Sequence, residues 1–245
     1  MKKLMLIVVG LFFVSAAFAE DTAGVLKKMK ARDAKMESMA KDVTLTMDSK
    51  IVAEGMEMKN TMQVIMKGKK KMTEVSMMGM KTIVVNNGTE IWMVGAQQGK
   101  KKLNDENEAG QTPFGWADNM KAESLKLTEE TVNDKKCFVL DGQDKKGNQG
   151  KWFIDKASLA LVKYETKQNG KNMVLMNSDF KKVKGEIEMP YKMEFTTDGK
   201  PTMTSVIKSI ELDKGVKDEI FNVDSIKQEE LGKMDMEQMM KMMKR

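Results

Sequence analysis

Val43-Thr44-Leu45-Thr46-Met47-Asp48 alternates apolar and polar side chains one for one. Successive side chains of a strand point to opposite faces, so this stretch reads as a strand that buries Val43, Leu45 and Met47 and turns its threonines and aspartate away. The residues before it follow a different period. Across 21–40, Val25, Met29, Met36 and Met39 recur at helical spacing, Asp21 or Thr22 can serve as N-cap, and lysines fill the other face. The change of period near residue 41 marks an amphipathic helix running into a sheet.

Alternation persists downstream. Met62, Val64 and Met66 form the next set and Ile83 and Val85 another, before Asn86-Asn87-Gly88 supplies residues that tolerate positive φ ahead of Ile91-Trp92-Met93-Val94. Further strand candidates lie at 125–132, 137–142, 151–155, 161–166, 173–180, 188–195 and 202–212, with turns at Asn169-Gly170 and Asp198-Gly199. About ten or eleven strands result, and no Gly/Ser-rich linker divides them. This favours one antiparallel sheet near the size at which sheets must curl. The runs Lys69-Lys70-Lys71 and Lys100-Lys101-Lys102 read as solvated turns, 104–110 as a polar loop, 112–120 as a short helix or lid-like insertion carrying Phe114 and Trp116, and 215–221 as a helical turn.

The N-terminus carries an export signal: Lys2 and Lys3, an apolar run over 4–13 broken only by Gly10, and Ala17-Phe18-Ala19 as the small-x-small pattern read by signal peptidase. An uncleaved anchor is the competing reading, but the run is shorter than the roughly 20 residues a bilayer span needs. The expected organisation is a signal peptide at 1–19 cleaved after Ala19, a folded region at 20–225, and a charged, Met-rich tail at 226–245. Cys137 is the one cysteine of 245 residues, so no internal disulfide can form and no cysteine is available for lipidation at the cleavage point. It reads as a small core residue.

The chain has no histidine, which removes the commonest general base and zinc ligand and every Ser-His or Cys-His arrangement. Its acids sit among lysines in surface-like runs, so no enzyme, no cofactor and no catalytic residue are expected. The 42 Lys and Arg exceed the 36 Asp and Glu only mildly, Arg occurs at Arg32 and Arg245 alone, and no aromatic ladder accompanies the basic runs. Nucleic-acid readers rely on Arg forks and stacking aromatics, so none is expected as partner. An approach to anionic lipid headgroups is the weaker use of the charge.

From Gly150-Lys151-Trp152-Phe153-Ile154-Asp155 and Leu161-Val162-Lys163-Tyr164-Glu165 onward, the chain resembles the LolA-like superfamily of periplasmic lipoprotein-carrier and outer-membrane lipoprotein-sorting proteins. Asp179-Phe180-Lys181-Lys182-Val183-Lys184-Gly185, Met189-Pro190-Tyr191-Lys192-Met193 and the closing Ile210-Glu211-Leu212-Asp213 through Asp218-Glu219-Ile220-Phe221 extend the resemblance in the family's order. The resemblance implies an α+β fold: a strongly curved antiparallel sheet, or unclosed β-barrel, with helices covering its concave face and a hydrophobic cavity between. It further implies a periplasmic monomer that shields lipoprotein acyl chains or other lipid, with an inner-membrane donor and an outer-membrane acceptor. Related folds also serve as envelope-stress sensors, so a protein-binding module is the alternative function. The family's carrier uses an arginine inside the barrel to latch its helical lid, and here no Arg lies in any expected strand. Arg32 is on the helix, and no gating residue is assigned.

The 27 methionines bear on such a cavity, because unbranched polarizable side chains adapt to ligands of different shape. Met replacing Leu in an ordinary core is the plainer reading of any one of them. The lining expected collectively is Met47, Met62, Val64, Met66, Ile83, Val85, Trp92, Val174, Met176, Met193 and Phe195. In the tail, Met236, Met239, Met240 and Met243 fall on one helical face. A docking helix, a disordered tail and Cu(I) binding through thioethers remain open there.

Overall fold

The computed structural model describes residues 20–53, 55–96, 99–104, 116–185 and 187–232. The export signal, the loop at 105–110, Phe114 and the methionine cluster at 236–243 lie outside the described residues. Helix α1 (Thr22–Ser38) begins where the Asp21 side chain accepts the Gly24 N–H at 2.7 Å, satisfying one of the orphan donors of the first turn. Thirteen strands follow: β1 (Val43–Ala53), β2 (Met56–Lys67), β3 (Lys70–Met77), β4 (Met80–Asn86), β5 (Ile91–Gly95), β6 (Gly99–Leu103), β7 (Lys126–Val132), β8 (Lys135–Gln143), β9 (Gln149–Asp155), β10 (Leu161–Gln168), β11 (Lys171–Val183), β12 (Ile187–Thr197) and β13 (Lys200–Leu212). A one-turn helix α2 (Trp116–Asn119) precedes β7.

All thirteen strands form one curved antiparallel sheet in the order β6-β5-β4-β3-β2-β1-β13-β12-β11-β10-β9-β8-β7. The edges β6 and β7 do not pair with each other, so the barrel is unclosed, as the α+β half-barrel expectation holds. Register shifts at Thr46/Met47, Leu161/Lys163 and Phe195/Thr196 add local twist, which helps so wide a sheet to curve. The two strands beyond the expected ten or eleven are β3 and β6, where lysine runs had been read as turns. Charge does not exclude a strand when the ammonium reaches a partner: Lys70 pairs with Asp218 at 3.1 Å and Lys102 with Glu90 at 2.6 Å. Lysines on β6 also blunt an edge that would otherwise invite pairing.

Both faces of the sheet carry apolar side chains. On the concave face, Leu45, Met47, Val64, Leu175, Met193 and Ile207 pack with Val25, Leu26, Met29 and Met36 of α1. On the convex face, Ile83, Val85 and Val94 pack under a C-terminal strap of short 3-10 turns, Asp218–Phe221, Val223–Ser225 and Gln228–Leu231, which buries Phe221 and Leu231. A smaller convex patch holds Cys137, Val139, Phe153 and Val162. Lysine stems cover part of it, with Lys163 Nζ 4.9 Å from the Phe153 ring and Lys135 Nζ 4.6 Å from that of Phe180.

The helix and the strap meet the sheet at one corner. Asp42, 3% exposed, accepts the backbone N–H groups of Lys214, Gly215 and Val216 at 2.8, 3.0 and 3.2 Å. Reciprocally, Asp213 accepts the Lys41 N–H at 2.7 Å, and Lys184 Nζ bridges Asp213 at 2.8 Å and the Met39 carbonyl at 2.6 Å. Asp42→Ala leaves three backbone donors without this acceptor and is expected to cost about 3 kcal/mol in chemical denaturation, with Asp42→Asn costing less. An unchanged denaturation midpoint for Asp42→Ala would show that the corner does not hold the two ends.

Candidate functional site: the concave face and its helical cover

Strand register assigns each expected lining residue to a face. Leu45 pairs with Val64 and Met47 with Met62, and Val43 pairs with Met66, so Met47, Met62, Val64 and Met66 share the concave face. Across β13, Met193 and Phe195 of β12 join them, opposite Ser205 and Met203. The other five residues stand on the convex face. Ile65 lies opposite Met72, Met72 opposite Val85 and Val85 opposite Trp92, while Ile83 is two residues from Val85 on the same strand. In β11 it is Leu175 and Asn177 that pair with Phe195 and Met193, so Val174 and Met176 point outward.

The physical reason is parity. Ile83 and Val85 are apolar because the strap covers the convex side of β4, and alternation alone does not say which side an apolar set faces. Met173-Val174-Leu175-Met176 is a continuous apolar run, and the inward set contains the polar Asn177, which disguised it.

Residues that the sequence reading left out complete the site. Trp152, 2% exposed, stacks on Tyr164 with ring centroids 5.2 Å apart, and Tyr164 meets Trp116 of α2 at 5.4 Å. Gly150 makes the stack possible, since a Cβ there would sit 2.7 Å from the Tyr164 ring. Burial raises the Tyr164 phenol above its ordinary pKa, opposed by a hydrogen bond with Thr166. Lys30 on α1 reaches Asp118 of α2 at 3.2 Å, joining the two helices over the face.

Arg32 is the polar member of the helix's apolar stripe. Positions 25, 29, 32 and 36 fall on one face of α1, and Arg32 is the third of them, with 16% of its side chain exposed. Its Nη2 donates to the Glu188 carbonyl of β12 at 2.6 Å and its Nη1 to Asp33 Oδ1 at 3.1 Å. Burial lowers its pKa from the usual arginine value, while Asp33 beside it and the charge of Glu188 work the other way. Glu188 in turn faces Lys135 at 3.4 Å, which also pairs with Asp155 at 3.0 Å. Where the family resemblance implies an arginine inside the barrel, here the helix supplies the arginine and the strand a carbonyl. The spacing 25, 29, 32, 36 was the signal for it.

Between α1, α2 and strands β10 to β13 lies a cavity of about 30 Å³, lined by Met29, Arg32, Trp116, Leu161, Asn177 and Met189 among others. That volume admits about two waters and no acyl chain. Helix α1 lies over this part of the concave face.

No protein-family model matches this chain, and no curated protein matches it. Solved structures do. A DUF1329 family protein from Desulfovibrio piger superposes with TM-score 0.64 at 13% identity, covering 85% of this chain and 100% of the other. A putative outer membrane lipoprotein-sorting protein domain from Vibrio parahaemolyticus gives 0.62 at 16%, covering 83% and 98%. A LolA superfamily protein from Nitrosomonas europaea gives 0.57 at 14%, covering 85% and 100%. The chain has the LolA-like fold.

Removing the helix-to-strand bond should loosen α1 selectively. A hydrogen bond to a charged group contributes about 1.5–3 kcal/mol, so Arg32→Ala is expected to speed amide exchange in α1 at least tenfold while the central strands exchange as before. Equal exchange in α1 of the variant and the parent would remove Arg32 as its anchor.

Proposed function

We propose that this protein is a periplasmic carrier that shields the acyl chains of lipoproteins or other lipid cargo beneath α1 on their way towards the outer membrane, without covalent chemistry. The observation that carries this reading is a concave apolar face packed under one helix whose stripe is part apolar, part a single arginine. The N-terminal export signal and the LolA-like fold support the compartment and the class of cargo.

Energetics favour loading. An acyl chain of about 16 carbons costs on the order of 12 kcal/mol to hold in water, at about 0.8 kcal/mol per methylene. Val25, Leu26 and Met29, the buried residues of the N-terminal half of α1, contribute roughly 1.5–3 kcal/mol each by burial. The three together contribute about 4.5–9 kcal/mol, less than the chain gains on the same surface, so loading is favoured and release needs an acceptor that holds the chain at least as well. The corner at Asp42 fixes the C-terminal end of α1, and Arg32 holds the pivot. The N-terminal half swings out, and Met47, Met62, Val64, Met66, Met193 and Phe195 receive the chain together with Leu45 and Trp152.

Native mass spectrometry of protein released gently from the periplasm is expected to show added acyl mass. Lipid-free spectra, with no uptake of added lipoprotein or fluorescent fatty acid, would sink the carrier. The two faces give a sharper check. Met62→Asp places a carboxylate on the concave face and should abolish uptake, whereas Met176→Asp on the convex face should leave it unchanged. Equal loss in both would reject the concave face as the binding surface.

A further inference from the structure

Among the described residues, three buried side-chain polar atoms have no hydrogen-bond partner: Arg32 Nε, Asn60 Oδ1 and Asn177 Oδ1. Two of the three, Arg32 Nε and Asn177 Oδ1, belong to residues that line the same cavity. A buried unsatisfied donor or acceptor is unfavourable, so a donor and an acceptor on residues that line one cavity, with Met29, Leu161, Met189 and Ile207 beside Asp33, point to a group that meets both.

The orientation of each is fixed by its other bonds. Asn177 is 5% exposed and donates its Nδ2 to the Leu161 carbonyl at 2.9 Å, which forces the Oδ1 to be the free end of the amide. Arg32 uses Nη1 and Nη2 on Asp33 and the Glu188 carbonyl, which leaves its Nε–H. The charge is already answered: Asp33 pairs with the guanidinium at 3.1 Å, and Glu188 adds a second negative charge nearby. A carboxylate or phosphate would gain one donor here but would meet the Asn177 lone pairs and two acids. A hydroxyl both accepts from Nε–H and donates to Oδ1, and carries no charge.

We propose that this cavity is a hydroxyl-recognition site, and that the lipid class it selects is one whose acyl or alkyl chain ends at an uncharged hydroxyl-bearing head rather than at an anion. This rests on the carrier reading above and specifies its cargo. The site lies on the pivot side of α1. Arg32 is seven residues before the C-cap Met39, about 10 Å along the helix, against about 21 Å for Val25. A swing of the N-terminal half therefore opens the chain-binding surface widely while moving the Arg32 side of the hydroxyl site least.

The test uses the full-length exported protein and three ligands with the same chain: hexadecanol, its methyl ether and palmitate. Hexadecanol is expected to bind at least tenfold tighter than the ether, which keeps the acceptor but has no O–H, and tighter than palmitate. Asn177→Leu should bring the alcohol and the ether to equal affinity without weakening the ether. Asn177→Ala serves the same purpose should the leucine not be accommodated. Equal binding of alcohol and ether by the parent protein would show that the cavity serves only water, and preference for palmitate would show an anion site. Either result overturns the hydroxyl assignment and leaves the carrier standing. Binding of none of the three would overturn the carrier reading and this one with it.

Discussion

A wide open sheet that carries apolar side chains on both faces must cover the apolar stretches of each. This protein meets that constraint from its central seam. Strands β1 and β13 are neighbours in the middle of the sheet, the helix enters just before β1, and the strap leaves just after β13. At that point the Asp42 carboxylate gathers three backbone N–H groups of 214–216, and Asp213 returns the contact to Lys41. The ends are thus sent to opposite faces from one corner, the helix over the cluster around Leu45 and Ile207 and the strap over Ile83, Val85 and Val94.

The two covers are held differently. The strap is tied by several independent contacts: Gln228 donates to the Gly95 and Ala96 carbonyls at 2.9 and 2.8 Å, Lys67 reaches the Val216 carbonyl at 2.7 Å, and Gly232 packs where a Cβ would lie 2.1 Å from the Gly79 carbonyl oxygen. The helix is clamped at its C-terminal end, joined to α2 by an exposed ion pair, and anchored to a strand by Arg32. Exposed pairs contribute little, so most of what keeps the N-terminal half of α1 in place is its own apolar stripe. That stripe competes for the surface an acyl chain would cover. The strap is therefore held by more polar contacts than the N-terminal half of the helix, the end that the proposed carrier role would release.

Much of this was legible in the sequence. The switch from helical to strand period near residue 41, the eleven strands of clear alternation and the family resemblance through Asp218 to Phe221 gave the α+β half-barrel. Lysine-rich β3 and β6 were not legible, because local composition says where charge is and not whether a neighbouring strand or carboxylate receives it. Facing was legible only in part. Met47, Met62, Val64, Met66, Met193 and Phe195 share one side, but Ile83, Val85 and Trp92 are reached only through β3, and without that strand their parity could not be counted. Val174 and Met176 are the expected inward pair of β11, but an unbroken apolar run carries no mark of parity, and the inward set includes the buried Asn177. Arg32 was visible as the odd member of an apolar stripe, and its partner, a main-chain carbonyl of β12, leaves no mark in a sequence.

In the proposed carrier, lipid takes the place of the N-terminal half of α1 while the sheet beneath it stays as it is. Pulsed electron-spin distance measurement between labels at Lys27→Cys on α1 and Lys59→Cys on β2 tests it most directly, with the native Cys137 buried and out of reach of the label. Saturation with an acyl ligand should shift the distance distribution to a longer, separate population that returns when the ligand is extracted. A single unshifted distance in protein shown to hold one lipid per chain would contradict the mechanism.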